Sequence, residues 1–266
     1  MLDEVAARGL VLLGCGKMGS ALLRGWLAGG LPPEAVHVVE PRPSDWLRAA
    51  GVTLNAPLPQ DPAVALVAVK PQMMGEALPA MTALGGGDTL VLSIAAGTSL
   101  AAFERAFGPG TPVVRAMPNT PAAIGRGITA VVGNGAATEA HVALAEALLS
   151  AVGEVVRVRS EDEIDVVTGL SGSGPAYVFH LIEALAAAGE AEGLAPDLSL
   201  RLARATVAGA GALAMETGED PAQLRRDVTS PNGTTQAGLE VLMAELPDLV
   251  RRTVCAATAR ALALRR

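Results

Sequence analysis

The first thirty residues contain the feature that most restricts the fold. An apolar run, Gly9–Leu13, leads directly into Gly14-Cys15-Gly16-Lys17-Met18-Gly19, and a helical pattern follows and ends at Gly29-Gly30. A short run without polar alternation is typical of a strand buried on both faces. Strand, G-x-G-x-x-G and helix in this order indicate the first unit of a dinucleotide-binding sheet. We therefore predict an N-terminal Rossmann-type domain.

Each glycine of this pattern has a predicted task. Gly14 makes the tight turn, Gly16 lets the backbone approach a pyrophosphate, and Gly19 lets the helix pack closely. Lys17 and Met18 complete the predicted cofactor loop.

The second predicted strand, Val36–Glu40, ends in an acid about twenty residues after Gly19. An acid there bonds the ribose hydroxyls of NADH, whereas Arg42, two positions later, is suited to the 2′-phosphate of NADPH. These two residues therefore do not decide between NADH and NADPH. The alternative interpretation is that each is only a surface residue at the end of a strand, with no contact to a cofactor.

Further apolar runs alternate with helical segments up to residue 159, and the helices are expected over Gln72–Leu84 and Glu139–Leu149. This alternation predicts a parallel, doubly wound α/β sheet with right-handed crossovers. The further predicted strands are Val64–Val69, Thr89–Ile94, Pro112–Met117, Ile128–Val132 and Glu154–Val158.

Small or polar residues follow three of these strands. In a parallel sheet the strand ends meet at one edge, where ligands bind. We expect the nicotinamide part of a cofactor there, although turns alone would show the same composition. The candidate residues at this edge are Val69, Lys70, Pro71, Ala95 and Asn119.

Residues 160–266 are predicted to form a separate all-helical domain. Val178–Ala188 is apolar around nearly its whole circumference, interrupted only by His180 and Glu183. Because such a helix must be covered on all sides, we expect a homodimer through this domain. The expected helices are 161–169, 175–192, 197–216, 220–228, 234–245 and 247–264.

Two polar stretches of the helical half are candidate ligand sites. In Thr168–Tyr177, glycines and serines precede Pro175 and a long helix, and free N–H groups at a helix start attract a carboxylate. A flexible hinge with Ser173 as N-cap is the alternative. In Val228–Leu239, Asn232-Gly233 predicts a turn before a helix that starts at Thr234 or Thr235. An ordinary helix–turn–helix corner is the alternative there.

Composition excludes several classes of protein. A net charge of −7 argues against nucleic-acid binding, and no apolar run is long enough to predict a membrane span. Cys15 and Cys255 lie far apart and predict neither a disulfide nor a metal site. The acidic N-terminus is unlike a secretory signal, so a cytoplasmic location is expected.

Taken together, the chain resembles the pyrroline-5-carboxylate reductases nearly from end to end. The resemblance depends on Gly14–Gly19, Val69-Lys70-Pro71, Met117–Pro121, Leu170–Tyr177 and, above all, Val228–Leu239. Asn232 stands where the family usually has glycine, and Glu40 is unexpected if NADPH is preferred.

The resemblance implies a Rossmann domain followed by a helical dimerisation domain, with the active site completed by the partner subunit. It implies that Thr235 is the hydrogen-bonding or proton-donating candidate near the ring nitrogen, with Ser230 as a second catalytic candidate. It further implies that substrate is held by Ser171, Gly172, Ser173, Gly174, Pro175, Gly233, Thr234 and Thr235.

The implied reaction is reduction of 1-pyrroline-5-carboxylate to L-proline by hydride from NADPH, with NADH as the alternative donor, in a homodimer or larger oligomer. One rival is a related β-hydroxyacid dehydrogenase or imine reductase. Those hydroxyacid enzymes generally use a lysine in the helical domain, and residues 160–266 contain none. A second rival, a non-catalytic NAD(P)H-binding regulator, has no need of a carboxylate site.

Overall fold

The computed structural model describes residues 2–265, and within them eight strands form one sheet. The strands are β1 (Leu10–Leu13), β2 (Val36–Val39), β3 (Thr53–Leu54), β4 (Val64–Val67), β5 (Leu90–Ser93), β6 (Val113–Met117), β7 (Gly127–Gly133) and β8 (Gly153–Arg157). The helices are α1 (Leu2–Arg8), α2 (Lys17–Ala28), α3 (Asp45–Ala49), α4 (Met74–Ala77), α5 (Leu100–Phe107), α6 (Glu139–Leu149), α7 (Glu161–Val167), α8 (Gly174–Ala191), α9 (Pro196–Thr217), α10 (Pro221–Asp227) and α11 (Thr234–Leu264).

The sheet has the strand order β3-β2-β1-β4-β5-β6-β7-β8, which confirms the Rossmann-type prediction. The expectation of a parallel sheet is wrong for the last two strands, since β7 runs antiparallel to β6 and β8 runs parallel to β7. Only a short 3₁₀ segment, Thr120–Ile124, joins β6 and β7. That connection is too short for the crossover that a parallel pair requires.

Apolar clusters cover both faces of the sheet. On one face α2 and α6 pack together, and the indole N–H of Trp26 donates a 2.8 Å hydrogen bond to the Leu148 carbonyl. On the other face Phe103 and Phe107 of α5 pack with Met81. The strands β1–β6 run in one direction, so their carboxyl ends meet at one edge of the sheet, whereas β7 and β8 run the opposite way.

The helix expected over Gln72–Leu84 is broken. The segment consists of a 3₁₀ turn at Pro71–Met73, the single turn α4, and a second 3₁₀ stretch at Leu78–Leu84. Pro79 lies in the first turn of that second stretch. Since proline cannot donate the N–H bond of a continuing α-helix, the regular ladder stops there.

By compactness the chain divides into two units. The first runs to Gly172 and includes the C-terminal residues from Ala257, and the second is Ser173–Ala256. Helix α7 packs on β6 and β7, so the first unit extends beyond residue 159. The border predicted between residues 159 and 160 thus differs from this division and stays a prediction.

The second unit is helical, with α8 packed along α9. Gly189 of α8 lies so close to Ser199 that a side chain there would meet the serine hydroxyl, which donates a 2.6 Å hydrogen bond to the Ala186 carbonyl. The two helices expected at 234–245 and 247–264 are one continuous α11, with Pro247 inside it. No helix within residues 2–265 is both long and apolar enough to cross a bilayer.

The single chain leaves most of α8 uncovered. Ala186 is its one buried residue among those described, whereas Phe179 is 58% exposed and Leu181 is 45% exposed. Val178 and Leu185 are exposed as well. If α8 is covered on all sides, as predicted, a second polypeptide must cover the side chains that one copy of the chain leaves exposed.

Candidate active site

Two of the three glycines of the glycine-rich turn leave no room for a side chain. Gly14 has φ +88°, and a methyl group there would lie 2.8 Å from a methyl carbon of Val69. At Gly19 a methyl group would lie 2.6 Å from the Gly14 carbonyl oxygen. At Gly16, by contrast, a methyl group would meet nothing within 4 Å. Two of the glycines are therefore required by the protein itself, and the third leaves open space beside the start of α2.

The Glu40 carboxylate is bound to the backbone around this turn. It accepts a 2.9 Å hydrogen bond from the Cys15 N–H and a 3.0 Å bond from the Arg42 N–H. The Asn55 side chain holds the Glu40 backbone through two further bonds of 2.9 Å. Glu40 thus ties the end of β2 to the glycine-rich turn, an arrangement that its position at the strand end alone did not indicate.

Charges around the turn are mostly positive and exposed. Lys17, Arg42 and Lys70 are exposed, and none of these side chains forms an ion pair within residues 2–265. Burial raises the pKa of the Cys15 thiol, with a smaller opposite effect from the hydrogen bond to Ser20. The thiol therefore stays protonated at neutral pH and adds no negative charge.

The ends of β4 and β5 border a cavity of about 800 Å³ in the first unit. Pro71 lines it, together with Ala96 and Gly97, which follow the buried Ala95. The cavity continues between α5, α7 and the last turns of α11 and does not reach the glycine-rich turn. Val69 lies instead against Gly14, so the β4 end contacts both regions.

The end of β6 joins a predicted cofactor residue to a predicted substrate residue. The side-chain amide of Asn119 donates a 3.3 Å hydrogen bond to the Ser171 hydroxyl, and its oxygen accepts a 3.0 Å bond from the Ile128 N–H. The methyl carbon of Met117 fills the space beside Gly172, where a methyl group on that glycine would lie 2.6 Å from it. Two stretches that are far apart in the sequence therefore meet here.

The first polar stretch is more regular than a flexible hinge, which was the alternative interpretation of it. Thr168–Gly172 forms a π-helical turn that continues α7, and α8 starts at Gly174 with Pro175 in its first turn. Ser173 occupies the N-cap position but makes no side-chain capping bond. The Thr168 hydroxyl donates a 2.7 Å bond back to the Ile164 carbonyl, which supports the wound conformation.

The second polar stretch belongs to the second unit. Asn232 adopts φ +56°, as the Asn-Gly turn predicts, and the Gly233 N–H donates a 3.0 Å bond to the Ser230 carbonyl. Helix α11 starts at Thr234, which places Thr235 in its first turn. The side chains of Ser230, Thr234 and Thr235 are exposed in the single chain.

Sequence reasoning missed an ion cluster built around the buried Arg115 and Asp165. Arg115 of β6 is 1% exposed and lies 2.8 Å from Glu161 and 3.3 Å from Asp165. Arg265 lies 2.7 Å from Asp162 and 3.0 Å from Asp165, and pairing with Asp162 raises the pKa of Arg265. The available signal was an arginine inside an otherwise apolar strand, because a charge in that position needs a partner.

Two family models match successive parts of the chain. Residues 161–264 match the family described as pyrroline-5-carboxylate reductase dimerisation. Residues 9–97 match the family described as NADP oxidoreductase coenzyme F420-dependent, so the first unit contains an NADP-binding domain.

The similarity to individual proteins covers nearly the whole chain. A solved pyrroline-5-carboxylate reductase from Coxiella burnetii superposes with a TM-score of 0.92 at 34% identity, over 97% of this chain and 99% of that one. The Plasmodium falciparum pyrroline carboxylate reductase, solved with NADP bound, gives 0.81 at 26% identity, over 97% and 98%. The Pseudomonas aeruginosa pyrroline-5-carboxylate reductase is 38% identical over 94% of both chains. The chain therefore belongs to the pyrroline-5-carboxylate reductase family, enzymes that reduce 1-pyrroline-5-carboxylate to proline.

Proposed function

We propose that this chain reduces 1-pyrroline-5-carboxylate to L-proline at the carboxyl edge of its sheet, with NADPH as hydride donor. The observation that supports this location best is the hydrogen bond between Asn119 and Ser171, which joins the predicted cofactor edge to the predicted substrate turn. NADPH, when bound, supplies the hydride that converts the C=N bond to an amine. The tasks of the chain are to bind and orient the substrate and the cofactor and to exclude water from them.

The residues around the glycine-rich turn fit a dinucleotide with a 2′-phosphate. The open space at Gly16 and the free start of α2 suit a pyrophosphate. The Glu40 carboxylate is occupied by two backbone N–H groups, which leaves it less available to ribose hydroxyls. The exposed Arg42 has no ion-pair partner in the described residues and is placed for a phosphate. These features favour NADPH over NADH, which remains the alternative.

We expect the Arg42→Ala variant to bind NADPH about ten- to a hundredfold more weakly, because a charge-assisted contact to phosphate is lost. The Kd for NADH should stay within about threefold, since NADH lacks that phosphate. Nicotinamide fluorescence titrations with both cofactors measure this difference. Arg48→Ala, which removes a nearby exposed arginine of α3, is the matched control. Equal losses for both cofactors would show that Arg42 does not read the phosphate.

We further propose that the substrate is held by Ser171–Pro175 and by Ser230 with Gly233–Thr235, the latter from a partner copy. 1-Pyrroline-5-carboxylate carries a carboxylate and a ring nitrogen, and an iminium accepts hydride more readily than a neutral imine. Hydroxyls and N–H groups at helix starts suit the carboxylate, while the Thr235 hydroxyl is proposed to face the nitrogen. Residues 160–266 contain one histidine, His180, and no lysine, and neither that imidazole nor a carboxylate there is an obvious general acid.

An absorbance assay separates this function from its rivals. Addition of 1-pyrroline-5-carboxylate to enzyme and NADPH should bleach the nicotinamide band at a rate proportional to enzyme. 3-Hydroxyisobutyrate with NADP⁺ should produce no signal, because the lysine used by hydroxyacid dehydrogenases is absent from residues 160–266. Cofactor binding without turnover of either compound would support the regulatory protein instead.

The exposed helices of the second unit support a homodimer. Large apolar side chains of α8, α9 and α11 lie uncovered in one chain, and residues 161–264 match a dimerisation family. Exposed apolar side chains in such numbers are typical of a subunit interface. We propose that two copies pair through it, with assembly into a larger oligomer as an extension of the same proposal. A cytoplasmic location likewise stays a prediction.

We expect light scattering to give twice the mass of one chain at micromolar concentration. Replacing Leu181 and Leu185 together by glutamate should give a monomer, because two carboxylates would be desolvated in the interface. Circular dichroism checks that the helices persist. Ala140→Glu, an exposed change on α6, should leave the dimer intact. A monomeric wild-type protein would contradict the proposal.

A further inference from the structure

Strand β6 presents three anchoring side chains in alternation. Arg115 and Met117 belong to the strand, and Asn119 follows it two residues later. Because side chains two apart on extended backbone point to one face, these three form a row directed toward the strand end. Each of them contacts the segment Glu161–Gly172, which ends in the proposed substrate turn.

The inner anchor is electrostatic. The Arg115 guanidinium lies 2.8 Å from Glu161 and 3.3 Å from Asp165, which are at successive turns of α7. Arg115 and Asp165 are each only 1% exposed. A buried charge without its partner is strongly destabilising, so α7 has one favourable position over the strand.

Glu161 extends this anchor to a second part of the site. Its carboxylate also accepts a 2.8 Å hydrogen bond from the N–H of Leu100, the first residue of α5. Helix α5 follows the loop that contains Ala95 and Gly97, at the proposed nicotinamide edge. One carboxylate therefore links the α7 start, β6 and the β5–α5 loop.

The outer anchors hold the turn itself. The Met117 methyl carbon packs at Gly172, and the Asn119 amide donates to the Ser171 hydroxyl. Thr168–Gly172 continues α7 without a break. If α7 moved relative to Arg115, Ser171 would therefore move with it.

We propose that Arg115 and Asp165 are positioning residues for the reduction: through α7 they set the distance between the Ser171–Gly172 turn and the strand end where the cofactor binds. The inference depends on the proposed substrate role of Ser171. Neither residue touches the reactants, so losing the pair should affect the reaction more than cofactor affinity.

The test uses the full-length enzyme with two substitutions. Asp165→Asn keeps the side-chain volume but removes the negative charge. Arg115→Lys keeps the positive charge but loses the planar guanidinium that contacts both carboxylates. We expect kcat/KM for 1-pyrroline-5-carboxylate to fall about ten- to a hundredfold, the scale of a misplacement near 1 Å. The Kd for NADPH should stay within about twofold. Amide hydrogen exchange of 168–172 should become faster in the ligand-free variants, while that of β8 is unchanged.

Two controls keep the outcomes distinct. Arg157→Gln breaks the exposed pairs that Arg157, at the end of β8, makes with Glu139 and Glu146 of α6, and should change none of these quantities. Ser171→Ala tests the proposed substrate role directly.

If Ser171→Ala raises the KM for 1-pyrroline-5-carboxylate and both cluster variants behave like the wild type, the positioning inference is wrong. If Ser171→Ala leaves that KM unchanged, the proposed substrate role fails. A parallel loss of NADPH affinity and melting temperature in both cluster variants would show a merely structural role.

Discussion

The Thr235→Ala variant is expected to reduce 1-pyrroline-5-carboxylate roughly ten- to a thousandfold more slowly than the wild type, with unchanged affinity for NADPH. This is the range for losing one positioned polar group at a reacting centre. Thr235 lies in the first turn of α11, exposed in the single chain, and its hydroxyl has no partner within residues 2–265. Its removal therefore breaks no hydrogen bond of the folded chain. Steady-state kinetics and a fluorescence titration measure the two quantities.

Two companion variants isolate the hydroxyl. Thr235→Ser keeps it and should recover most of the turnover. Thr253→Ala removes a threonine from the same helix, where the hydroxyl only bonds the Leu249 carbonyl, and should behave like the wild type. Full turnover by Thr235→Ala would show that this hydroxyl takes no part in the reaction.

The second large effect is expected from the glycine-rich turn. There, one alanine substitution should weaken NADPH binding and another should lower the stability of the fold. Gly16→Ala should leave the ligand-free protein as stable as the wild type, because φ is −70° and a methyl group would meet nothing within 4 Å. Its affinity for NADPH should fall about a hundredfold, since the methyl group would occupy the space proposed for the pyrophosphate, at the cost of charge-assisted bonds of roughly 1.5–3 kcal/mol each.

Gly14→Ala should instead destabilise the fold. A φ of +88° strains any residue with a Cβ, by about 1–3 kcal/mol, and a methyl group would press on Val69 at 2.8 Å. We expect a melting temperature lower by about 5 °C or more. Thermal unfolding without ligand and a fluorescence titration separate the two variants. NADPH affinity retained by Gly16→Ala would place the pyrophosphate elsewhere.

Much of the first unit follows from local patterns. The apolar runs predicted the main strands within about two residues, and the helix predicted over Glu139–Leu149 has those bounds in the structure. The positive φ of Asn232 was predicted from the Asn-Gly pair. The two-residue strand β3 and the helices α1 and α3 were not predicted, because such short elements have too few residues to show a periodicity.

Other features depend on partners that a local pattern does not contain. The antiparallel pairing of β7 with β6 follows from a short connection, and the broken segment after Pro71 packs in pieces around Met74 and Met81. Helix α11 continues through Pro247, where a boundary was expected. The substrate roles of Ser171–Pro175 and Ser230–Thr235 stay predictions.

The sequence by itself determined the Rossmann-type sheet, the position of the glycine-rich turn and the family, because each depends on residue types at fixed spacings along one stretch of chain. Only the tertiary structure decided that Glu40 binds the Cys15 N–H, that Asn119 meets Ser171, and that Arg115 pairs with Glu161 and Asp165. Those contacts join residues 25 to 52 positions apart. Their geometry exists only once the strands and α7 are packed, since side-chain distances across elements are set by packing and not by spacing in the sequence.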